Sequence, residues 1–372
     1  MTQQMLIDIK RQPDCLRQLL DRQGEIARLG ADYFGMVRDR QLTSISCGDG
    51  WFAARAVESA AVRGLSMRYR AVTSLEYLTY HANQATERDR VIAISMSGNV
   101  DRTIEAVQAA QGFGASVFGL INGKGGRLGQ LITARLSLGI PEIAPFLCGT
   151  SSYTATILAL LLLLRGVESD QTGDLRWAPS LDALEEHCSH LPEVIKKAES
   201  FVQKVVSRAM GNGISGVRFL SAGPNLATAD YGAAKLVELT RIASWSDDIE
   251  EFAHRQFWSM DLNNVVIYLS ANPTLAKYAS DSADSLSELE VSTISIEVEG
   301  SPVTPAKHRL ILPKMPEWLS PIVMAIPLQL LSYHLAYAQG FDPNTRQHLK
   351  DDKMRFVVSR KLTRRSLIGK GL

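Results

Sequence analysis

The sequence has few of the features that mark secreted, metal-bound or membrane-spanning proteins. Its four cysteines (Cys15, Cys47, Cys148 and Cys188) are scattered, and no two of them form a CxxC pair. A disulfide framework or a zinc site is therefore not expected, and a reducing, cytoplasmic location fits this pattern. Charged and apolar residues alternate through residues 1–40, so no signal peptide is predicted.

Long uninterrupted apolar runs and an excess of one charge are also missing. The run Thr154–Leu164 is too short to span a bilayer, and Ile322–Ala338 is interrupted by Pro327 and by polar residues. Both runs predict buried helices of a globular core. With 40 basic and 39 acidic residues the net charge is +1, which gives no reason to expect a nucleic-acid or membrane partner.

Motifs for nucleotide or metal binding are absent as well. The chain has no GxxxxGKS/T sequence, no GxGxxG after a predicted strand, and no His, Cys or Asp set at metal-ligand spacing. We therefore expect neither a nucleotide, nor a metal, nor another cofactor. At 372 residues the chain is long enough for two domains with sizeable cores.

The sequence does contain a regular alternation of short apolar strands with amphipathic helices. The alternation runs through residues 41–168 and starts again in 212–340. An N-terminal helical segment over 1–40, a linker helix in 169–211 and a tail over 341–372 complete the predicted organisation. This pattern predicts an α/β fold with two tandem three-layer domains, each a parallel sheet flanked by helices.

One junction of strand, loop and helix stands out. An apolar strand, Val91–Ile94, leads into a Ser/Gly loop that starts at Ser95, and apolar residues at helical spacing follow from Ile104. Such a loop directs backbone N–H groups, the positive end of a helix and the hydroxyls of Ser95 and Ser97 at one place. That arrangement suits an anion such as a sugar phosphate. An ordinary βα turn is the alternative interpretation.

Five stretches of the chain, in order and in register, resemble the sugar-isomerase (SIS) family. They are Cys47-Gly48-Asp49-Gly50, the loop Ser95-Met96-Ser97-Gly98, Thr150-Ser151-Ser152, the block Gly232–Glu238 with His254 sixteen residues later, and Arg346–Lys350. The resemblance is to two-domain members, such as the isomerase half of glucosamine–fructose-6-phosphate synthase and the related deaminases and deglycases. It implies two SIS-like domains that open a sugar ring and move a proton between C1 and C2.

The resemblance implies a catalytic group made of Glu238, Lys235, His254 and Lys350. Glu238 would be the base and Lys235 its assisting cation. Their i, i+3 spacing puts both on one helix face, although a surface ion pair has the same spacing. His254 would act in ring opening from a neighbouring subunit, which implies a homodimer. Lys350 would either form a Schiff base with the sugar carbonyl or only polarise it.

The same resemblance implies that three loops bind the substrate. Their residues are Cys47, Gly48, Asp49 and Gly50 in the first loop, Ser95, Met96, Ser97 and Val100 in the second, and Cys148, Thr150 and Ser151 in the third. Two loops depart from the family, because Asp49-Gly50 replaces a Thr-Ser pair and Val100 replaces a threonine. A carboxylate about 4 Å from a phosphate charge repels it by about 4 kcal/mol at an effective dielectric constant of about 20.

This departure leaves three alternatives for the ligand. Asp49 turns away from a bound phosphate, or the phosphate is held elsewhere, for instance by Arg102. In the third alternative the substrate carries no phosphate, and Asp49 accepts hydrogen bonds from sugar hydroxyls or an ammonium. All three are compatible with the sequence.

The predicted function is that of an aldose–ketose isomerase, deaminase or deglycase that acts through an enediol or enolamine. The leading substrate class is a sugar phosphate. Position 2 is Thr2 and no glutaminase-sized domain precedes the isomerase-like part, so glutaminase activity is not expected. An unphosphorylated amino or Amadori sugar is the alternative substrate. A regulator that binds a sugar phosphate without catalysis is the alternative class.

Overall fold

The computed structural model describes residues 3–35, 41–64, 68–172, 181–209 and 213–363 of the chain. By their internal contacts the residues form two compact units, which we name after their sheets. The first-sheet unit comprises Asp14–Glu142, Ser151–Leu181 and Leu349–Leu372, and the second-sheet unit comprises Met1–Pro13, Ile143–Thr150 and Asp182–His348.

Each unit holds one five-stranded parallel sheet. The first sheet contains β1 (Gln41–Ser46), β2 (Arg68–Thr73), β3 (Arg90–Ser95), β4 (Ser116–Ile121) and β5 (Arg135–Ser137), and the second contains β6 (Gly216–Ser221), β7 (Ser244–Asp248), β8 (Asn264–Ser270), β9 (Ser292–Val298) and β10 (His308–Leu312). The strand order is β2-β1-β3-β4-β5 in the first sheet and β10-β9-β8-β6-β7 in the second. The central strands are buried along nearly their whole length, because helices cover both faces of each sheet.

Helices flank both sheets, and they alternate with the strands along the chain. In chain order they are α1 (Gln4–Lys10), α2 (Gln12–Asp21), α3 (Gln23–Gly30), α4 (Asp49–Gly64), α5 (Ser74–Glu76), α6 (Asp101–Gly112), α7 (Gly126–Leu131), α8 (Ser151–Thr172), α9 (Leu181–Ala209), α10 (Pro224–Thr240), α11 (Ile249–His254), α12 (Pro273–Ser287), α13 (Ser320–Ala338), α14 (Gln347–Asp351) and α15 (Lys353–Thr363). The predicted α/β class with parallel sheets between helices is confirmed.

Both sheets reverse their winding direction at the same relative position. The reversal lies between β1 and β3 in the first sheet and between β6 and β8 in the second. At each reversal a serine hydroxyl donates to a carbonyl of the neighbouring strand at 2.7 Å, Ser46 to Ile94 and Ser221 to Leu269. In parallel α/β sheets such a switch point opens a crevice beyond the carboxyl ends of the strands, where ligands bind.

The polar segment from Gly166 to Gly173 predicts a linker, but this prediction is wrong, because α8 continues to Thr172. Gly166 has a packing role. A Cβ at this position would lie 1.8 Å from the carbonyl oxygen of Ala27, and one on Gly30 would lie 2.1 Å from that of Leu163. The two glycines therefore allow α3 and α8 to approach closely, which a sequence pattern does not reveal.

Three further elements differ from the sequence prediction. Apolar periodicity indicates a helix only from Tyr231, whereas α10 begins at Pro224, because proline suits the first turn of a helix. The strands β7 and β10 were not predicted. They are edge strands of the second sheet, and β7 has the polar sequence SWSDD, so neither shows a continuous apolar run.

The most apolar helix of the second-sheet unit is α13. Among the described residues, Glu317–Ala338 is the one segment long and apolar enough to cross a membrane, and 94% of its most apolar window is buried inside the protein. Burial of this kind identifies a core helix, as the sequence predicted. In the tail, α15 has no buried residue, and residues 364–372 lie outside the described part of the chain.

Candidate functional site

The loop after β1 lies at the switch point of the first sheet. Cys47 and Gly48 are exposed, and Gly48 has a φ of +60° with open space where a side chain would be. Asp49 follows as the first residue of α4 and is half-buried. A Cβ on Gly50 would lie 2.3 Å from the Oγ of Ser46, so Gly50 lets the first turn of α4 approach the sheet. Gly50 therefore has a packing role, and the three residues before it border the crevice.

The loop after β3 borders the same switch point. Ser95 is 7% exposed, and its Oγ accepts a hydrogen bond from the N–H of Gly98 at 3.2 Å. Ser97 is exposed, and its Oγ accepts from the N–H of Asn99 at 3.3 Å. Val100 is the N-cap of α6 and supplies no side-chain cap to the first-turn N–H groups. Of the two serines, Ser97 is the one that a ligand can reach.

Side chains from three loops meet beside the first turn of α6. The Oγ1 of Thr103 lies 3.0 Å from the Oγ of Ser74, after β2, and 3.9 Å from the Sγ of Cys47. Met96 is half-buried, with its Sδ 3.9 Å from the Oγ1 of Thr156 on α8. Ser151, the first residue of α8, is 1% exposed. Met96 therefore packs towards α8, and the side chain of Ser151 is buried.

Each charged residue of α6 forms an ion pair within the protein. The guanidinium of Arg102 binds the carboxylate of Glu105, whose side chain is 4% exposed. Asp101 pairs with Arg127. The charge of Arg102 is thus compensated within its own helix. This pairing weighs against the alternative in which Arg102 holds a phosphate.

A second cluster surrounds Glu238 on α10, in the second-sheet unit. The Nζ of Lys235 donates to the Oε2 of Glu238 at 2.8 Å, and the Lys235 side chain is only 5% exposed. The Oε1 of Glu238 pairs with the guanidinium of Arg346. Arg346 is itself fixed, because its Nε donates to the carbonyl of Phe146 at 2.6 Å and its guanidinium stacks on the Phe146 ring at 4.1 Å. Glu238 therefore has a cation on each carboxylate oxygen and remains 26% exposed.

The segment from Phe146 to Thr150 is held by buried groups on one side. The hydroxyl of Tyr231 donates to the carbonyl of Gly149 at 2.8 Å. Cys148 is 3% exposed, with its Sγ 3.8 Å from the sulfur of Met5 on α1.

Thr150 takes part in the same arrangement. It is fully buried, its hydroxyl donates to the carboxylate of Asp8, and its carbonyl accepts from the amide of Gln329 at 3.4 Å. The prediction that the side chains of Cys148 and Thr150 bind substrate is not supported by these contacts, since both side chains face the interior.

His254 and Lys350 are the two remaining residues of the predicted catalytic group. His254 ends α11 with a side chain that is 67% exposed, and its Nε2 is 3.4 Å from the Oε1 of Glu250. Lys350 is half-buried in α14 and belongs to the first-sheet unit. Within the described ranges, no group of three or more His, Cys, Asp or Glu side chains could hold a metal ion.

Arg346 and Tyr231 are site residues whose roles the sequence did not reveal. Arg346 has a φ of +50°, an uncommon backbone conformation for a non-glycine residue. It ends a turn in which the Asp342 carboxylate accepts hydrogen bonds from Asn344 and Thr345. The Asp-Pro-Asn-Thr sequence before it signals a turn, but no sequence pattern names Glu238 as its partner.

Comparison with known proteins agrees with this architecture. The sequence profile of the SIS domain matches residues 217–339. The glutamine–fructose-6-phosphate aminotransferase (isomerizing) of Bacteroides thetaiotaomicron is 24% identical over 361 residues, which cover 93% of this chain and 57% of the relative. The chain thus spans little more than half the length of the curated relatives that it matches.

Solved structures share the fold at low sequence identity. The C-terminal domain of glucosamine-fructose-6-phosphate aminotransferase from Francisella tularensis superimposes with a TM-score of 0.77 at 17% identity, covering 92% of this chain and 98% of that one. Tagatose-6-phosphate ketose/aldose isomerase from Escherichia coli superimposes with a TM-score of 0.75 at 16% identity, covering 93% and 95%. The resemblance inferred from five sequence stretches is confirmed: the chain contains a SIS domain and is homologous to the isomerase domain of glutamine–fructose-6-phosphate aminotransferases.

Proposed function

We propose that this protein is an aldose–ketose isomerase of sugar phosphates, with Glu238 as the base. The observation that carries the proposal is the carboxylate of Glu238, 26% exposed, between the cations of Lys235 and Arg346 in the SIS domain. Each carboxylate oxygen has two lone-pair sites, so an oxygen that pairs with a cation can still accept a proton. Glu238 can therefore transfer a proton while two cations balance its negative charge.

In the proposed reaction Glu238 removes a proton from the carbon next to the carbonyl of the open sugar. The electron pair forms the enediol double bond, and the carbonyl oxygen takes the negative charge. Lys235 stabilises that oxyanion. The neighbouring hydroxyl then passes its proton to this oxygen and becomes the new carbonyl, while Glu238 returns its proton to the former carbonyl carbon. The steps conserve all atoms and need no redox partner.

His254 and Lys350 complete the proposal. The exposed imidazole of His254 passes a proton to or from the ring oxygen during ring opening, supplied by the other subunit of a homodimer. Lys350 polarises the sugar carbonyl or condenses with it. The homodimer and a cytoplasmic location stay predictions of the sequence.

Substrate binding is proposed for the loops after β1 and β3. Ser97 and the uncapped first turn of α6 offer hydrogen-bond donors, and Asp49 offers a carboxylate. Since Arg102 is paired with Glu105, a phosphate here would rely on Ser97 and backbone N–H groups.

A second candidate function is deamination or deglycation of an N-linked sugar without a phosphate. The observation that favours it is the carboxylate of Asp49 beside the exposed Cys47 and Gly48. The same enolisation at Glu238 would then give an enolamine, whose protonation on carbon forms an imine. Water would hydrolyse this imine to a carbonyl and release the amine as ammonia or an amino acid.

The test is a panel of aldoses and ketoses with and without a 6-phosphate and with and without an amine at C1 or C2. Deuterium uptake from D₂O at C1 or C2 and amine release are followed together by NMR. For Glu238→Gln we expect a loss of about 10²- to 10⁴-fold in turnover, the range for removal of a general base.

The matched control is Glu288→Gln, an exposed carboxylate at the end of α12. Full activity of Glu238→Gln would eliminate the proposed base. Tight binding of a sugar without exchange or amine release would identify the protein as a regulator.

A further inference from the structure

A cleft of about 430 Å³ lies in the second-sheet unit, beside helices α1, α9 and α13. Its walls include Leu6, Glu199, Gln203, Tyr333, His334 and Tyr337. None of these residues has a role in the proposed reaction. The volume lies in the usual range for small-molecule sites.

The polar groups of the cleft offer hydrogen bonds without a net charge. The Oε2 of Glu199 pairs with the Nζ of Lys10 at 2.9 Å. The Nε2 of His334 lies 3.8 Å from the Oε1 of Glu199. Burial lowers the pKa of His334, Glu199 opposes this effect, and Lys10 adds a smaller lowering, which together favour the uncharged imidazole. Gln203 and Tyr337 add an amide and a phenol.

These groups favour one class of ligand. An anion would face the carboxylate of Glu199, and a cation would have to compete with Lys10 for it. A molecule with several hydroxyls can donate to Glu199 and accept from Gln203, while its carbon skeleton contacts Leu6 and the Tyr333 ring. We propose that the cleft is a second binding site, for an uncharged polyhydroxylated molecule of monosaccharide size.

The cleft is connected to the turn that holds Arg346. The hydroxyl of Tyr337 accepts from the Nδ2 of Asn344 at 2.6 Å, and the Oδ1 of Asn344 accepts from the N–H of Met5 at 3.0 Å. Asn344 is 1% exposed and lies two residues before Arg346, the partner of Glu238. A ligand that contacts Tyr337 and α1 therefore stabilises two of the groups that hold Asn344, the third being Asp342. Any consequence for catalysis rests on the proposed function, but the binding itself does not.

The test measures amide hydrogen exchange of the full chain with three probes: sorbitol, myo-inositol and methyl α-glucoside. None of them has a free carbonyl or can open a ring, so none can be isomerised. Some amide hydrogens exchange only when the binding site opens locally. A probe present at ten times its dissociation constant slows this exchange about tenfold, because it binds the closed site. We expect this slowing in α1 and in the turn Asp342–Arg346, and not in α12.

Variants assign the effect to the cleft. Glu199→Gln and Gln203→Ala should each lower the affinity for the protective probe at least about tenfold, because each variant loses about one hydrogen bond to the probe. The controls are Glu193→Gln and Lys204→Ala, exposed residues of the same helix α9. Glu238→Gln should keep the protection, which separates this site from the failure or success of the proposed reaction.

Two outcomes would overturn the proposal. One is the absence of local protection by all three probes. The other is slowing that is uniform across the second-sheet unit, α12 included, and equal in the lining variants, because polyols stabilise any folded protein through exclusion from its surface.

Discussion

Glu238 is bound by two cations that reach it from different parts of the chain. Lys235 is one helical turn away, so the pair is a local consequence of i, i+3 spacing. Arg346 arrives from a turn more than a hundred residues later and also binds the backbone of Phe146. The carboxylate is therefore fixed in position by contacts that only the folded chain provides.

Replacing Arg346 by lysine should misplace Glu238 while keeping the positive charge. Lysine lacks the planar fork that joins Glu238, the Phe146 carbonyl and the Phe146 ring. We expect a fall in kcat of about 10- to 100-fold with a smaller change in KM, the effect of a misaligned catalytic group.

Steady-state kinetics on the best substrate of the panel measures this effect, and Arg355→Lys on the exposed α15 is the matched control. Wild-type kcat in Arg346→Lys would show that Arg346 does not position Glu238.

Thr150→Val should change stability rather than substrate affinity. The buried hydroxyl of Thr150 donates to Asp8, and its loss leaves that carboxylate with one donor fewer. We expect the free energy of unfolding to fall by about 1–3 kcal/mol, measured by urea denaturation, with KM unchanged.

Thr150→Ser keeps the hydroxyl and should recover most of this loss. Thr274→Val, at an exposed position of α12, is the control for the substitution itself. An increase in KM at unchanged stability would instead restore the substrate-binding role that the resemblance implies.

At the scale of elements, glycines decide several close approaches. Gly98 has a φ of +61°, and a Cβ there would lie 1.6 Å from the carbonyl oxygen of Gly125. The loop after β3 thus passes directly over the turn before α7. Its shape depends on this contact and on the hydrogen bond from the N–H of Leu128 to the carbonyl of Gly98 at 2.9 Å.

Gly98→Ala should destabilise the protein by about 3 kcal/mol or more. Alanine is unfavourable in the left-handed backbone conformation, and its Cβ would also clash with the backbone of Gly125. Thermal and urea denaturation measure the change. Gly112→Ala, in the last turn of α6 with no heavy atom within 4 Å of its Cβ, is the control and should be neutral or slightly stabilising. Equal stability of the two variants would contradict the close approach.

At the scale of the whole molecule, the two sheets have the same winding. In each unit the winding direction of the sheet reverses between the first and the third strand. At this point a serine hydroxyl donates a hydrogen bond to a carbonyl of the neighbouring strand. The proposed catalytic residues Lys235, Glu238 and His254 lie in the second-sheet unit, and the loops with Asp49 and Ser97 lie in the first-sheet unit.

The assembly prediction can be tested by mixing two inactive variants. If His254 acts in the site of its partner, a dimer of one Glu238→Gln and one His254→Asn subunit has one site with both wild-type groups. Random exchange of subunits should then restore about a quarter of the wild-type activity, since half of the dimers are mixed. No recovery, with mixed dimers verified by native mass spectrometry, would show that His254 acts within its own subunit or not at all.

The sequence by itself determined the fold class and the location of most elements. Strands such as Ser116–Ile121 are short, mainly apolar runs that the alternation pattern locates, because the side chains of a strand covered on both faces are mostly apolar. The Lys235–Glu238 pair was predictable for a similar reason, as helical spacing alone brings the two side chains together.

Only the tertiary structure decided which groups each side chain meets over long sequence distances. It paired Arg346 with Glu238, Thr150 with Asp8 and Gly166 with Ala27. It also changed the interpretation of Gly166 from a linker residue to a packing residue, and it gave the Thr150 side chain a buried hydrogen bond to Asp8. Composition and periodicity describe the preferences of one residue at a time, whereas these contacts depend on how distant segments cross, which is set by the packing of the complete fold.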